Sequence, residues 1–374
     1  MSLLLPVYRD HLVPSSEVEF LRRQYLGFAS LRPVWVGRQV RPGAAEALGA
    51  PVVRLGGTGP MAALRGVLFK QFGLVPPLPP EWQGGAVRVL HAQFARGGAL
   101  ALPLAAALGV PLVVTLHGGD VAKRSGRQPF NILAQRWPRL VAQAARFVCV
   151  SHHIAGVAAA RGVPEAKLTV LPIGVPIPAS VPPSALGGRG YFLFVGRFVE
   201  KKGLPVLAAA VRALRAAGDT TPVVCVGDGP LRPLLEALAQ EVGGVELPGW
   251  LPLAAVQSRM AGARALLVPS VTARDGDTEG LPSVIPEAMA LGCPVIGSSH
   301  PAVAEGFVPG ESGMLVPEGD GLALAAAMRA LTGEPALRAS MGLAAREFAA
   351  TRLNALRQSA ALEQLLMREA GLGG

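Results

Sequence analysis

Short apolar runs alternate with alanine- and leucine-rich helical runs through most of this chain, and that alternation restricts its architecture more than any single residue does. Strands linked through helices run parallel, because a parallel pair needs a long crossover that a helix supplies. Runs such as Leu112-Val113-Val114-Thr115-Leu116 are continuously apolar, so the strands are expected to be covered on both faces. In the first half, strands are expected near Leu3 to Tyr8, Val34 to Val36, Val87 to His91, Leu112 to Leu116 and Phe147 to Val150. Helices are expected between them, including Ser16 to Ala29 and Gly97 to Leu108.

One passage interrupts the pattern. Leu171-Pro172-Ile173-Gly174-Val175-Pro176-Ile177-Pro178, through Pro182-Pro183 to Gly187-Gly188, has neither periodicity and reads as a linker. The alternation then resumes, with strands at Tyr191 to Val195, Val223 to Val226, Ala265 to Val268 and Pro294 to Gly297, and helices at Leu204 to Ala217 and Leu231 to Glu241. A chain of 374 residues suits two domains. Two Rossmann-like domains are expected, over residues 1–175 and 190–350, with the linker at 176–189. Thr351 to Gly371 places Leu353, Leu356, Ala360, Leu362 and Leu366 near helical spacing. One helix over residues 351–374, crossing back to the first domain, is therefore expected.

Composition removes several function classes. Apolar residues are 51% and charged residues 16%, which is a folding chain and not a disordered one. Cys149, Cys225 and Cys293 lie in apolar segments without C-x-x-C spacing and read as buried free thiols of a reducing compartment. Met1 to Val7 is too short for the apolar region of a signal peptide and is followed by Arg9, Asp10 and His11, so a cytoplasmic location is expected. Gly98 to Leu116 carries no charge, but Pro103, Gly109 and Pro111 interrupt it, and a buried helix followed by a buried strand is expected there rather than a membrane span. Residues 1–189 hold 20 Lys/Arg against 7 Asp/Glu, a net +13, while residues 190–374 hold 15 against 18, a net −3. A basic half suits an anionic partner such as a lipid headgroup or lipid-linked phosphate, although arginine-rich codon usage would give the same excess. With aromatics at 5% there is no stacking platform, and nucleic acid is not expected as a partner.

Two carboxylates, Glu279 and Glu287, stand in Glu279-Gly280-Leu281-Pro282-Ser283-Val284-Ile285-Pro286-Glu287-Ala288-Met289-Ala290, a turn that enters an alanine-rich helix. Helix N-termini favour phosphate and carboxylates accept from sugar hydroxyls, so the pattern suits a nucleotide-diphosphate sugar. Phe192-Leu193-Phe194-Val195-Gly196-Arg197-Phe198-Val199-Glu200-Lys201-Lys202-Gly203 is a strand followed by a loop with two anchored cations. Ligands of open parallel sheets bind beyond the carboxyl ends of strands, where Arg197 and Lys202 would meet phosphate oxygens. Gly227-Asp228-Gly229-Pro230 repeats the arrangement at the next strand end.

These motifs, followed by Gly313-Met314-Leu315-Val316-Pro317, occur in the order found in retaining glycosyltransferases of family 4, and the chain resembles that family densely over residues 190–320. The first half is similar more faintly, in Val113-Val114-Thr115-Leu116-His117-Gly118-Gly119-Asp120 and in Val150-Ser151 with Leu171 to Pro176. The resemblance implies the α/β GT-B fold, two Rossmann-like domains facing each other across a deep cleft. It implies retaining transfer of a sugar from a UDP- or GDP-type donor to an acceptor hydroxyl. In that reading His117 faces the sugar from the acceptor side, Arg197 and Lys202 stabilise the leaving diphosphate, Glu279 orients the donor sugar and Glu287 holds the ribose. Gly196, Gly227, Gly229, Trp250, Leu251, Gly280, Leu281 and Pro282 would complete the donor site, with Trp250 and Leu251 by the nucleobase. Ser16, Glu17, Gly118 and Asp120 would meet the acceptor. No cofactor and no metal are implied. The implied partners are the nucleotide sugar, a glycan or lipid-linked acceptor, and an anionic membrane touched peripherally at its inner face.

The first loop departs from the family. Arg9-Asp10-His11-Leu12-Val13-Pro14-Ser15-Ser16-Glu17 stands where a glycine-rich loop is usual, and its Pro-Ser-Ser-Glu form resembles the branch that builds exopolysaccharides such as colanic acid. Ser15 or Ser16 as a helix cap and Glu17 as first-turn charge explain the same residues structurally. Asp275-Gly276-Asp277 is similar to the metal-binding Asp-x-Asp of the other large glycosyltransferase fold, but here Arg197 and Lys202 supply the positive charge. His152 and His153 have no third ligand in view. Two other functions fit the same chain: a sugar-nucleotide 2-epimerase and a non-catalytic nucleotide-sugar-binding module.

Overall fold

A computed structural model of the protein describes residues 3–14, 16–122, 131–180 and 190–372. The chain divides into two compact units: Met1–Gly174 with Ala355–Gly374, and Val175–Asn354. Residues 181–189, which make up most of the expected linker, lie outside the described residues.

The first unit contains β1 (Leu3–Tyr8), β2 (His11–Leu12), β3 (Leu31–Gly37), β4 (Gln39–Val40), β5 (Val52–Arg54), β6 (Leu90–Gln93), β7 (Leu112–Leu116), β8 (Arg146–Cys149) and β9 (Leu168–Val170). Seven of these form one parallel sheet in the order β5-β3-β1-β6-β7-β8-β9, and β2 pairs with β4. Strand periodicity sends Leu5 and Val7 to one face, with Trp35, and Tyr8 to the other, with Phe69 and Leu100. All five residues of β7 are buried, as its continuous apolar run requires. Gly98 to Leu116 comprises most of the helix Ala95–Leu108 followed by β7. No helix among the described residues is long and apolar enough to cross a membrane.

The chain tail differs from the single helix expected over 351–374. The helix Pro335–Arg352 ends, Leu353 and Asn354 break the pattern, and a second helix runs Ala355–Glu369. At the break the Val175 N–H donates to the Leu353 carbonyl at 2.7 Å and Val175 bridges Asn354, which takes those backbone groups out of helical pairing. The last helix belongs to the first unit, where Leu362, Leu365 and Leu366 pack with Leu5, Val7 and Trp35. Ser359 and Glu363 also hold the chain beyond the first helix, which stops at Arg23 and not at Ala29. The Gly27 N–H donates to Ser359 Oγ at 2.8 Å. Those of Ala29, Ser30 and Leu31 donate to the Glu363 carboxylate at 3.0, 2.7 and 2.7 Å.

The second unit holds β10 (Phe192–Val195), β11 (Val223–Val226), β12 (Val245–Gly249), β13 (Ala265–Val268), β14 (Val295–Ser298) and β15 (Gly313–Val316). They form a parallel sheet in the order β12-β11-β10-β13-β14-β15. Phe192 and Phe194 pack on one face with Leu207 and Val211, and Leu193 on the other with Met260 and Met289. All three cysteines are buried free thiols, and burial pushes each up to about 12.

Candidate functional site

In each sheet the chain winds one way from a central strand and then restarts beside it in the other direction. In the second unit this happens between β10 and β13, and in the first between β1 and β6. The loops that leave such neighbouring strands diverge, and the crevice between them is where open sheets bind ligands.

In the second unit, Lys202 follows β10 and Glu279 follows β13. Lys202 Nζ lies 2.9 Å from Glu279 Oε1, with the carboxylate side chain only 7% exposed. Burial alone would raise the Glu279 carboxyl. Lys202 foremost, then Lys201, outweigh that and hold it below the usual glutamate range. Gly203 makes this placement possible: its φ is 68°, and a Cβ there would fall 1.7 Å from the Pro269 carbonyl oxygen. Gly227 lets the neighbouring loop in as closely, since a Cβ would lie 1.9 Å from the Gly196 carbonyl oxygen. The two loops are then laced by Phe198 N–H to the Asp228 carbonyl at 2.8 Å and Leu231 N–H to the Phe198 carbonyl at 2.9 Å.

Arg197, on the same loop as Lys202, is exposed and makes no side-chain hydrogen bond or ion pair among the described residues. Glu287 is half-buried in the first turn of the helix Val284–Ala290, beyond buried Gly280 and Pro282 and half-buried Leu281. Trp250 leaves the edge strand β12 with 56% of its surface exposed, beside Gly227, whose N–H donates to the Gly249 carbonyl at 2.9 Å; Leu251 packs inward. Asp277 pairs with Lys201 at 3.0 Å and Asp275 accepts from the Asp277 N–H at 2.9 Å, so both carboxylates shape their own loop. Among the described residues no group of three or more His, Cys, Asp or Glu could hold a metal ion.

Sequence reasoning passed over Lys201, Thr278 and His300. The buried His300 follows β14, accepts from the Ala302 N–H at Nδ1, and meets Thr278 Oγ1 at Nε2. With Nδ1 accepting, Nε2 carries the proton toward Thr278, which tethers the residue before Glu279. The signal available was a histidine at a strand end directly before Pro301 at a helix start.

In the first unit, His117 follows β7, Phe94 follows β6 and Arg9 follows β1. His117 packs against Phe94 with ring centres 4.3 Å apart and the rings tilted by 40°, and the Arg9 guanidinium lies 5.3 Å above the same Phe94 ring. Phe94 is the one non-glycine residue with positive φ among the described residues, at 68°. Such strain costs about 1–3 kcal/mol and persists where surrounding packing imposes it.

Beneath His117 runs a directed hydrogen-bond chain. Gln93 Nε2 donates to Tyr25 Oη at 2.6 Å, which turns Gln93 Oε1 toward His117 Nε2 at 2.7 Å. Tyr25 therefore donates to His91 Nδ1 at 2.8 Å, and His91 Nε2 donates to Thr115 Oγ1 at 2.8 Å. The chain fixes the proton of His117 on Nε2 and leaves Nδ1 as a lone pair. Burial, with Arg9 and His91 nearby, pushes His117 down to about 3, and burial alone does the same for His91. The Asp120 oxygens accept from the N–H groups of His117, Gly118 and Ala95 at 3.0, 2.7 and 2.8 Å, tying the histidine loop to the helix Ala95–Leu108. Burial pushes that carboxyl up to about 6 against the pull of these donors. Ser16 and Glu17 begin the helix Ser16–Arg23, and their side chains lie outside the described residues. Arg9, Tyr25, His91, Gln93 and Phe94 were not singled out from sequence; Arg9 and Phe94 become legible once the strand order is known.

Two parallel-sheet Rossmann-like domains define the GT-B class. Anabaena HepE in complex with UDP matches with a TM-score of 0.77 at 16% identity, covering 98% of this chain and 100% of that one. Sucrose-phosphate synthase from Thermosynechococcus elongatus matches at 0.76 and 20% identity, covering 98% of each. Residues 189–334 match the family model Glycosyl transferases group 1, and residues 35–177 match Glycosyltransferase Family 4. The chain belongs to the family 4 glycosyltransferases. It is 34% identical over 250 residues to the amylovoran biosynthesis glycosyltransferase AmsK of Erwinia amylovora, covering 65% of this chain and 60% of that one. It is 34% identical over 221 residues to the protein named for colanic acid biosynthesis as glycosyltransferase WcaL in Salmonella typhimurium, covering 58% and 53%. These relatives are of the exopolysaccharide branch, and the chain spans little more than half their length.

Proposed function

We propose that the protein transfers a sugar, with retention, from a nucleotide-diphosphate sugar to a hydroxyl of a glycan or lipid-linked acceptor. The setting would be exopolysaccharide or cell-surface glycan synthesis at the inner face of the membrane, with the basic first half toward anionic lipid. The observation that carries this reading is the Lys202–Glu279 pair where the strand order reverses, with the uncommitted Arg197 on the same loop.

As the glycosidic bond breaks, negative charge grows on the departing diphosphate. Arg197 has its full fork of donors available, and Lys202 has two N–H bonds beyond the one that meets Glu279. A donor aimed at developing charge in a dry site contributes about 3–4 kcal/mol. Ionised Glu279 keeps lone pairs for a sugar hydroxyl, Glu287 is suited to the ribose, and exposed Trp250 to the base. On the acceptor side, His117 offers Nδ1 as an acceptor held in one tautomer. The names of the relatives favour transfer over epimerisation. HepE has been crystallised with UDP and UDP-glucose, while another relative, from Mycolicibacterium smegmatis, is named as GDP-mannose-dependent.

Thermal-shift measurements with UDP, GDP and ADP and their common sugars, with and without EDTA, test the reading. An EDTA-insensitive rise with one nucleotide family is expected. No rise with any of them would leave a non-catalytic module as the better account, and donor epimerisation without acceptor would install the epimerase instead.

A further inference from the structure

Monomeric proteins scatter large apolar side chains singly over their surface. Here five of the twelve exposed large apolar residues among the described residues fall in one short stretch: Met61 at 51%, Leu64 at 48%, Val67 at 50%, Phe72 at 72% and Leu74 at 58%. The helix Ala62–Phe72 explains the cluster. It seats Ala62, Gly66 and Phe69 inward at helical spacing, and Gly66 lies so close to Arg38 that a Cβ would come within 3.2 Å of its Cγ. Leu64 and Val67 lie on the opposite side, with Met61, Phe72 and Leu74 at or beyond its ends. A surface helix ordinarily turns polar residues outward, and this one is apolar on both sides. From 47 to 80 the sequence carries Arg54, Arg65 and Lys70 and no Asp or Glu.

We infer that this outer face docks on an anionic lipid surface. Its apolar side chains would enter the headgroup boundary, and Arg54, Arg65 and Lys70 would meet the headgroups through long stems. A second copy of the chain is a poorer occupant. Across an isologous contact the same cations would face one another. A helix about 16 Å long also offers little toward the ~800 Å² per partner of a stable dimer. The helix is reached from the carboxyl end of β5, the same sheet edge from which Arg9, Phe94 and His117 project. Docking would therefore bring the acceptor-side cluster toward the bilayer. The inference deepens the proposed membrane contact and rests on that reading.

Sedimentation of the full chain with phosphatidylcholine vesicles, with and without phosphatidylglycerol, tests it. The protein is expected to sediment with the anionic vesicles alone. The triple variant Leu64→Ser, Val67→Ser, Phe72→Ser should lower that partition by about tenfold or more, and Arg65→Glu with Lys70→Glu should lower it and weaken its salt dependence. These positions are exposed, so folding and the nucleotide-induced melting shift are expected to be retained. Equal partition of wild type and triple variant would overturn the inference. So would the absence of vesicle binding together with a concentration-dependent dimer, seen by light scattering and lost in the triple variant. A missing nucleotide shift in both proteins would instead strike at the donor reading, whatever the vesicles show.

Discussion

Arg197 and Lys202 lie on one loop, yet their surroundings make them unequal as experimental targets. Arg197 is exposed and unpaired among the described residues, so Arg197→Ala should leave the melting temperature unchanged while kcat/KM falls by about 10²–10³. Lys202→Ala should also remove activity, but it leaves Glu279 buried without its partner, which costs about 3–5 kcal/mol. The double variant Lys202→Ala, Glu279→Ala should regain much of that stability and none of the activity. Equal melting temperatures for Lys202→Ala and wild type would mean that the pair is not a buried ion pair in solution. Gln93 acts through another residue: Gln93→Leu removes the acceptor for His117 Nε2 and the donor to Tyr25. It is expected to cost about 1–3 kcal/mol, and to depress kcat more than KM because His117 is freed to change tautomer. A variant with unchanged kcat would reduce the chain beneath His117 to a structural feature.

At the scale of elements, the terminal helix is a clamp as well as a cover. One carboxylate, Glu363, satisfies three successive backbone N–H groups, and Glu363→Ala is expected to cost about 1–3 kcal/mol in thermal or denaturant unfolding, with Glu363→Gln intermediate. An unchanged midpoint would show that water replaces the carboxylate without loss. This clamp also shows what the sequence could disclose. Interior strands such as β7, β11 and β13 were legible because burial on both faces demands an unbroken apolar run. The edge strands β5, β9 and β12 passed unnoticed because their residues are half-buried or exposed and their runs are short and mixed. Leu353 and Leu356 kept helical spacing across a break that only the tertiary pairing with Val175 reveals. The glycine motifs of the second unit were readable because a glycine must stand where backbones touch, as at Gly203 and Gly227. Gln93 and His91 share β6 but are joined through Tyr25, which lies beyond the first helix and meets both through side chains alone, so nothing in their local spacing marks them.

For the molecule as a whole, the two units carry titrating groups that act in different pH ranges, and acid should therefore destabilise them at different pH. His91 and His117 are each pushed down to about 3, so between about 6.5 and 3 the unfolded chain takes up two protons that the native first unit refuses. Asp120, pushed up to about 6, works the other way: its native form binds a proton that the unfolded form does not, from about 6 down to about 3.9. Two histidines against one aspartate leave a net uptake of one proton on unfolding, so the first unit should lose about 1.4 kcal/mol per pH unit below about 6. In the second unit Glu279 is held below its usual range; the stability it contributes is present above about 4.3 and lost as pH falls through the native value. Calorimetry of the full chain between pH 7 and 5 should accordingly show the first unit's transition moving to lower temperature while the second unit's holds. His91→Gln removes one of the two histidines and restores the balance with Asp120, so its first transition should lie nearly level over the same range even if its absolute temperature is lower. A slope in that variant equal to the wild type's would mean that His91 is protonated in the native protein, and that the hydrogen-bond chain from Thr115 to His117 runs in a different direction.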